Sequence, residues 1–458
     1  MSESWLMQLE LFEEDCGTIG LDELFEAYYD CRKNKRKTFN ALEFEADYEN
    51  RLLELWRDIN SHQYYPGRSI TFIVTEPVKR EVFAADFRDR VVHHLIINKI
   101  NHLFEADFIP DSYSCREGKG AQYGIKCIGE YMYLCSEGYT KDCYILKMDI
   151  QSFFMSIDKP LLFERLKDFL NRRYFAADKD LLLELIERVV CANPEENCFI
   201  KGRRSDWNGL PPSKSLFSTG KTKGLPIGNL TSQVFANFYL NFFDHFVKDV
   251  CGVEYYGRYV DDFVIIHPSK EYLLHLRQRL QDFIKKDLFL TLHPRKVYLQ
   301  HYSKGVKFIG AVIKPGRQYI GNRTKGNLYK CIHKYNIEAA KSKKYVKENA
   351  EHFVSSVNSY LGFMIHYSTY KLRRKILENE ISEAWKKVVT FDEDAKKLVL
   401  KSKYKTQNRQ QEKIRRRVRN IRRSRERQER LDRELLGLGV SVKKDKKLEA
   451  HLCTAVKQ

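Results

Sequence analysis

An α+β fold organised in successive stretches is predicted by three features of the sequence. Residues 1–65 repeat apolar side chains at helical spacing, first Leu21, Leu24, Phe25 and Tyr28, then Leu42, Phe44, Leu52, Leu53, Leu55 and Trp56. From about 70 to 325, short β-forming runs alternate with helical ones. From 326 to 400 the helical period returns, through Phe353, Val357, Tyr360, Leu361 and Met364. These shifts divide the chain into a helical N-terminal region (1–65), a mixed central domain (66–325), a helical domain (326–400) and an extension (401–458).

Tyr65-Pro66-Gly67 ends the N-terminal helices, because proline and glycine break the period. SITFIVTE, CYILKMDI, EYYGRYV, DFVIIH and VKFIGAVIKP are the strand candidates of the central domain. Between Asp206 and Lys223 a Gly/Pro/Ser-containing loop, predicted to be mobile, leads to a helix starting near Asn229. The extension is strongly basic: residues 401–435 hold 15 Lys/Arg against 5 Asp/Glu.

The 458 residues can bury a large core, and a formal charge of +19 draws polyanions, of which nucleic acid is the commonest for a protein of this size. The 11 cysteines are scattered without a C-x-x-C pair, which fits reduced thiols in a cytoplasmic protein better than a zinc site or disulfide framework. The acidic N-terminus lacks a signal pattern, and no apolar run approaches the roughly 20 residues of a membrane span. No membrane partner is expected.

Chemistry concentrates in GRYVDDFVIIH, where Asp261 and Asp262 lie between two β-forming runs and are predicted at the tip of a hairpin. Adjacent acids repel, so a cation is the natural counterpart; a solvated Asp-Asp turn is the plainer alternative. CYILKMDIQSFF adds a buried strand ending in Asp149. One acid at a strand end and two on a neighbouring hairpin can converge on two hard cations through oxygen ligands. Displacement at a nucleotide α-phosphate needs that arrangement, because charge develops on both the attacking and leaving oxygens, which two ions roughly 3.5–4 Å apart stabilise together. Asp149 and Asp261 are assigned as shared ligands, the Ile150 carbonyl as a lesser one and Asp262 as a weaker or outer partner. Two Mg²⁺ ions are expected, with Mn²⁺ as the substitute.

KREVFAADFRDRVVHHLI, FIPDSYSCREGKGAQYG, LKMDIQSFF, GLPIGNLTSQVFANFYLN, RYVDDF, LHPRKVYL and GVKFIG occur in the order and approximate spacing of the conserved blocks of reverse transcriptases. The chain resembles that superfamily over about residues 70–325, with thumb-like helices to about 400. The resemblance implies a right-hand polymerase with fingers, an antiparallel palm sheet and a helical thumb, acting as an RNA-directed DNA polymerase on a primer, DNA or RNA, with dNTPs. Within the superfamily it is most similar to polymerases of diversity-generating retroelements. Where most relatives read Q-G-x-x-x-S-P, this chain has Ile227, Gly228 and Asn229 followed by Gln233, so Ile227 replaces Gln and Gln233 replaces Pro. An aliphatic side chain against the template base loses polar contacts that select geometry. The resemblance implies misincorporation opposite template adenines.

Other site residues follow from the same blocks. Lys79, Arg80 and Arg88 are the cations for the triphosphate; relatives read Pro-Lys-Pro-Arg where this chain has Pro77-Val78-Lys79-Arg80, which favours Arg80 over Lys79. Phe153 and Phe154 include the ring that excludes ribonucleotides, with Phe154 favoured and core packing the alternative for either. Arg116, Lys119 and Gln122 are expected to track the template backbone, Gly118 and Gly120 allowing close approach. Lys296 is a further phosphate ligand, while Phe308, Ile309 and Gly310 match the strand that grips the primer end. His93 and His94 read as structural. In the tail, Arg415, Arg416 and Arg417 are expected to bind template RNA or duplex.

The partners implied are a structured template RNA and a small accessory protein, in a bacterial or phage-encoded cytoplasmic system. Two alternatives share or discard the chemistry: an antiphage-defence reverse transcriptase of related sequence, and a non-catalytic RNA-binding protein that keeps the polymerase fold. A group II intron-like role is disfavoured because neither zinc-finger cysteines nor an endonuclease segment is recognisable.

Overall fold

The computed structural model describes residues 17–33, 39–76, 78–402 and 404. The chain divides into two compact units, Met1–Arg323 and Thr324–Gln458.

In the first unit, helices α1 (Leu21–Lys33), α2 (Phe39–Glu45) and α3 (Tyr48–Asn60) lead the described chain. Their apolar faces bury Leu24, Tyr28, Phe44, Leu52 and Leu55, the residues whose spacing predicts them. After Tyr65-Pro66-Gly67 the chain forms β1 (Ser69–Val74) and β2 (Arg80–Ala84), then the long helix α4 (Phe87–Asp107), whose N-cap Asp86 accepts the Arg88 amide. Helix α5 (Ala121–Cys135), β3 (Tyr144–Asp149), the single turn α6 (Phe153–Ser156), α7 (Lys159–Arg173), α8 (Lys179–Val190) and β4 (Cys198–Ile200) follow. Then come α9 (Leu230–His245), which runs into a π-helical turn, β5 (Tyr255–Tyr259), β6 (Asp262–His267), α10 (Lys270–Asp287), β7 (Tyr298–His301), β8 (Val306–Phe308), β9 (Ala311–Lys314) and β10 (Arg317–Ile320).

Three sheets result in this unit. The central one has strand order β5-β6-β3-β7 and is antiparallel throughout. Its strands alternate faces: Leu146, Met148, Phe263 and Ile265 enter the main hydrophobic cluster with α4, α9 and α10, whereas Ile145, Val264 and Ile266 are buried on the opposite face. A second sheet, β2-β1-β4, joins β1 to β2 antiparallel and to β4 parallel; the third is the meander β8-β9-β10.

The second unit contains α11 (Asn322–Lys341) from Thr324 onward, α12 (Lys343–Met364), α13 (Tyr370–Asn379), α14 (Glu383–Lys386) and a hairpin of β11 (Val389–Phe391) and β12 (Leu398–Leu400). Trp385 is fully buried and stacks on Phe353 at 4.3 Å.

The α+β class and the antiparallel central sheet hold, and three local expectations change. VKFIGAVIKP is two strands, because Ile309 (φ 48°) and Gly310 (φ 79°) make a two-residue turn with both φ positive, the combination that matches hairpin twist. The 206–223 loop is not loose. It contains three 3-10 turns, at Arg204–Trp207, Pro212–Lys214 and Leu216–Ser218. Buried Glu81 accepts hydrogen bonds from Trp207 Nε1, Ser215 Oγ and the Leu216 amide, each at 2.6 Å, and Lys79 Nζ donates to the Asn208 carbonyl at 2.7 Å. Finally, the stretch expected to be helical to 400 ends in the β11–β12 hairpin. The basic run containing Arg415, Arg416 and Arg417 lies outside the described residues.

Candidate active site

The sheet register brings the three acids together. Asp149 is the last residue of β3 and stands opposite Asp262, the first of β6. The Ile150 amide donates to the Asp261 carbonyl at 3.1 Å, the bond that flanks a non-hydrogen-bonded antiparallel pair. In such a pair the side chains share one face, with Cβ atoms about 4.5–5.5 Å apart. Asp261 and Val260 form the two-residue tip between Tyr259 and Asp262. Val260 has φ 56°, a conformation that a β-branched residue adopts only when its surroundings impose it.

The imposing group is Arg258, which is fully buried. Its Nη1 donates to the Val260 carbonyl and to Asn237 Oδ1, both at 3.0 Å, while Nε and Nη2 grip Asp244 at 2.7 and 2.5 Å. Tyr256 donates to the same carboxylate at 2.6 Å, and Arg258 Nη2 reaches Ser112 Oγ at 3.1 Å. The network ties the hairpin to α9 and to the loop before α5.

Electrostatics separates the acids. Burial, then the charge of Asp149, pushes Asp261 up to about 6, with Lys296 and Arg80 pulling back. Burial likewise pushes Asp262 up to about 6 against the ammonium of Lys147, 2.8 Å from its Oδ2. Asp262 Oδ1 is buried without a hydrogen-bond partner. Lys296 Nζ donates to both oxygens of Asp149 at 2.9 and 3.0 Å. Among the described residues no three His, Cys, Asp or Glu side chains form a ready metal cluster, and lysines pair with Asp149 and with Asp262 Oδ2. The donor set still suits hard divalent ions: three neighbouring carboxylates, two with ionisation suppressed by burial and one with an orphaned oxygen.

The other predicted residues fall into two groups. Arg80 is exposed at the start of β2, close enough to influence Asp261. Phe154 and Ile227 pack together on a small cluster of Phe83, Met155 and Leu216, and the Ile227 carbonyl accepts the Phe83 amide at 2.9 Å. Gly228 (φ 124°) lies so close to β2 that a Cβ would meet Val82 at 2.8 Å. Gln233 is exposed and accepts from the Cys115 thiol at 3.5 Å; Gln122 sits half-buried in the first turn of α5. Ile150 and Phe308 are buried, at the end of β3 and in β8, and Gly310 is exposed at its turn.

The second group is engaged in holding the fold. Arg88 donates to Asp58 at 2.5 Å and to the Tyr65 carbonyl at 3.3 Å and lies over the Tyr64 ring, so its charge anchors α4 to the N-terminal helices. Arg116, expected on the template backbone, instead pairs with Glu105 at 2.8 Å and donates to the carbonyls of Ile109 and Ser112. Lys119 donates to the Pro110 carbonyl at 2.6 Å, and Lys79 to the loop described above. Asn229, expected on the nucleic acid, is buried and accepts the Ala85 amide at 3.1 Å, which joins the start of α9 to the end of β2. Phe153 is buried in the main cluster. His93 is buried, with Nδ1 unpartnered, as a structural residue.

Lys147, Glu81 and Arg258 have no place in the sequence-based site. Lys147 was detectable in principle: two residues before Asp149 in a strand, it must share that residue's face.

Residues 79–313 match the family described as Reverse transcriptase (RNA-dependent DNA polymerase). The chain belongs to the reverse transcriptase family. A search of curated proteins finds no match. Similar solved structures include apo telomerase from Candida tropicalis truncated from its C-terminal domain, 11% identical over 55% of this chain and 55% of that one, TM-score 0.41. Telomerase from Candida albicans in complex with a TWJ fragment of telomeric RNA is 11% identical, covering 71% of this chain and 61% of that one, TM-score 0.41. Apo telomerase from Candida tropicalis is 10% identical, covering 68% and 61%, TM-score 0.42. The chain thus spans between 55% and 61% of the length of these telomerase chains.

Proposed function

We propose that this chain is an RNA-directed DNA polymerase that extends a primer 3′-hydroxyl with dNTPs on an RNA template. The observation that carries the proposal is the register that sets Asp149 opposite Asp262, with Asp261 at the adjoining tip, inside the segment that matches the family. Asp149, Asp261 and Asp262 would hold two divalent ions, Mg²⁺ by their oxygen chemistry, which when bound would activate the primer hydroxyl and stabilise the leaving pyrophosphate. Arg80 supplies a fixed cation on the triphosphate side. Lys296, held at Asp149, would turn its ammonium toward a phosphate oxygen once the carboxylate is otherwise occupied. Phe154 offers a ring beside the sugar, packed on the same cluster as Ile227.

Primer extension with Mg²⁺ on a defined RNA template tests this. Asp261→Asn is expected to lower extension at least 10³-fold, the several kcal/mol of charge stabilisation a metal-bound oxygen set supplies. Its thermal unfolding should be unchanged or later, since a buried charge is removed. Failure of the unaltered chain to extend any primer with either Mg²⁺ or Mn²⁺ would overturn the reading.

Within that activity we propose the error-prone polymerase of a diversity-generating retroelement. Ile227 supports this: its half-buried aliphatic side chain lies on the Phe83–Met155–Leu216 cluster, where a glutamine amide would find apolar neighbours. Ile227→Gln should reduce misincorporation opposite template adenines several-fold in sequenced products; an unaltered adenine error spectrum sinks the retroelement assignment and leaves the polymerase one standing.

A further inference from the structure

We infer that Lys147 is a positioning residue that fastens the acid-bearing hairpin to the hairpin carrying Phe308 and Gly310, and so sets where a primer 3′ end lies relative to Asp149 and Asp261. The inference rests on the polymerase reading above.

The link follows from strand geometry. Lys147 lies two residues before Asp149 and therefore on the same face of the central sheet, diagonal to Asp262 on β6, a separation that a long side chain spans. Its ammonium lies 2.8 Å from Asp262 Oδ2 and donates to the Lys307 carbonyl at 2.7 Å. That carbonyl is available for a physical reason. The two-residue turn makes Phe308 and Ala311 the closing, hydrogen-bonded pair, so the next pair, Lys307 and Val312, turns its backbone groups outward. β8 is moreover the edge of its sheet, with no strand beyond it to take the bond. One ammonium thus joins two otherwise separate sheets, at one residue from Phe308 and at the second acid of the pair.

The side chain of Lys147 is 15% exposed and that of Asp262 21%, so the ion-pair half of the bridge is largely shielded from water, and the Oδ1 atom of the same carboxylate is buried without a partner. Asp262 accordingly serves as the anchor of the bridge, a role compatible with its being the weakest of the three candidate ligands. A reacting hydroxyl displaced by about 1 Å can slow an in-line reaction on the order of 100-fold, so a link of this kind bears on rate more than on binding.

The test compares Lys147→Met, Lys147→Gln and Lys147→Arg with the unaltered full-length chain in two assays. The first is hydrogen exchange without nucleic acid. Lys147→Met is expected to speed exchange about 10- to 100-fold at amides of 306–312 and of 259–263 together, the range for losing a charge-assisted bond. Amides of β1 and β2 should be unaffected. Lys147→Arg keeps the charge and should stay within about threefold of the unaltered chain, while Lys147→Gln falls between. Unchanged or uncoupled exchange in the two hairpins overturns the proposal whether or not the chain polymerises.

The second assay is steady-state primer extension, in which Lys147→Met should lower kcat about 10- to 100-fold while the KM for dNTP and primer–template affinity stay within about threefold. A fall in kcat matched by an equal rise in both binding constants would mark a merely structural loss and also overturn the proposal. If Lys147→Met does not fold, the graded Gln and Arg variants decide by the same criteria. Absence of extension by the unaltered chain would refute the polymerase reading, which the exchange assay leaves separable.

Discussion

Neutralising Asp244 should unfold the protein far more readily than removing the whole ion pair. Arg258 and Asp244 are both fully buried and joined by two charge-assisted bonds at 2.7 and 2.5 Å. In Asp244→Asn the guanidinium keeps its charge while fully buried, and removing one partner of a buried pair typically costs about 3–5 kcal/mol. The Tyr256 hydroxyl, which donates to the same carboxylate, adds a disturbed bond. The double variant Asp244→Leu with Arg258→Met removes both charges, and such replacements are neutral within about 2 kcal/mol when the volume is filled. The coupling between the two sites should therefore be on the order of 3 kcal/mol or more. Urea unfolding of the unaltered chain, Asp244→Leu, Arg258→Met and the double variant, with slopes compared to confirm that the same surface is exposed, measures it, and Asp244→Asn is unfolded beside them. A cost below about 1 kcal/mol for Asp244→Asn, or strictly additive single and double variants, would refute the claim that this pair holds the hairpin. The double variant also separates stability from activity: it should fold yet extend primers poorly, because the Val260 carbonyl has lost its donor.

Two further outcomes are expected. Glu81→Gln presents an amide NH₂ to a set of three donors, which should cost about 1–3 kcal/mol and expose 203–218 to limited proteolysis at least fivefold faster. His93 has its imidazole pushed down to about 3, first by burial and then by His94 and Arg90. Because the folded value lies below the ordinary 6.5, the contribution is fully present above pH 6.5 and is lost as pH falls toward 3, by about 2 kcal/mol at pH 5. His93→Leu should flatten the acid limb of stability measured by urea titration between pH 7 and 5, and an unchanged limb would show that another group titrates there.

The candidate active site is the part of this molecule most legible in sequence, because it is written in strands. A β-strand fixes side-chain direction by alternation alone, so a run such as YILKMD, read beside RYVDDF, places its acids before any tertiary contact is known. The cations were harder to place. Arg88 and Arg116 look like any phosphate ligand in the sequence, but their partners, Asp58 on α3 and Glu105 on α4, are brought to them by packing, and only the folded chain shows those charges already spoken for. Glu81 is the extreme case, its hydrogen-bond donors lying 126 to 135 residues away. The split of VKFIGAVIKP was obscured by Ile309, whose branched side chain argues for a strand while its backbone turns; the glycine beside it was the better guide. In the second unit, helical period identified the helices, and the short Val389–Phe391 and Leu398–Leu400 strands were too brief to interrupt it.

The left-handed valine at the hairpin tip also bears on the order in which the protein assembles. A turn whose own residues disfavour it cannot nucleate, so the Tyr255–His267 segment should remain open while the chain collapses, closing only after the guanidinium beneath it has been enclosed by α9 and the 111–114 loop. On that order the three acids would come together only at the end of folding, after the core around them has formed.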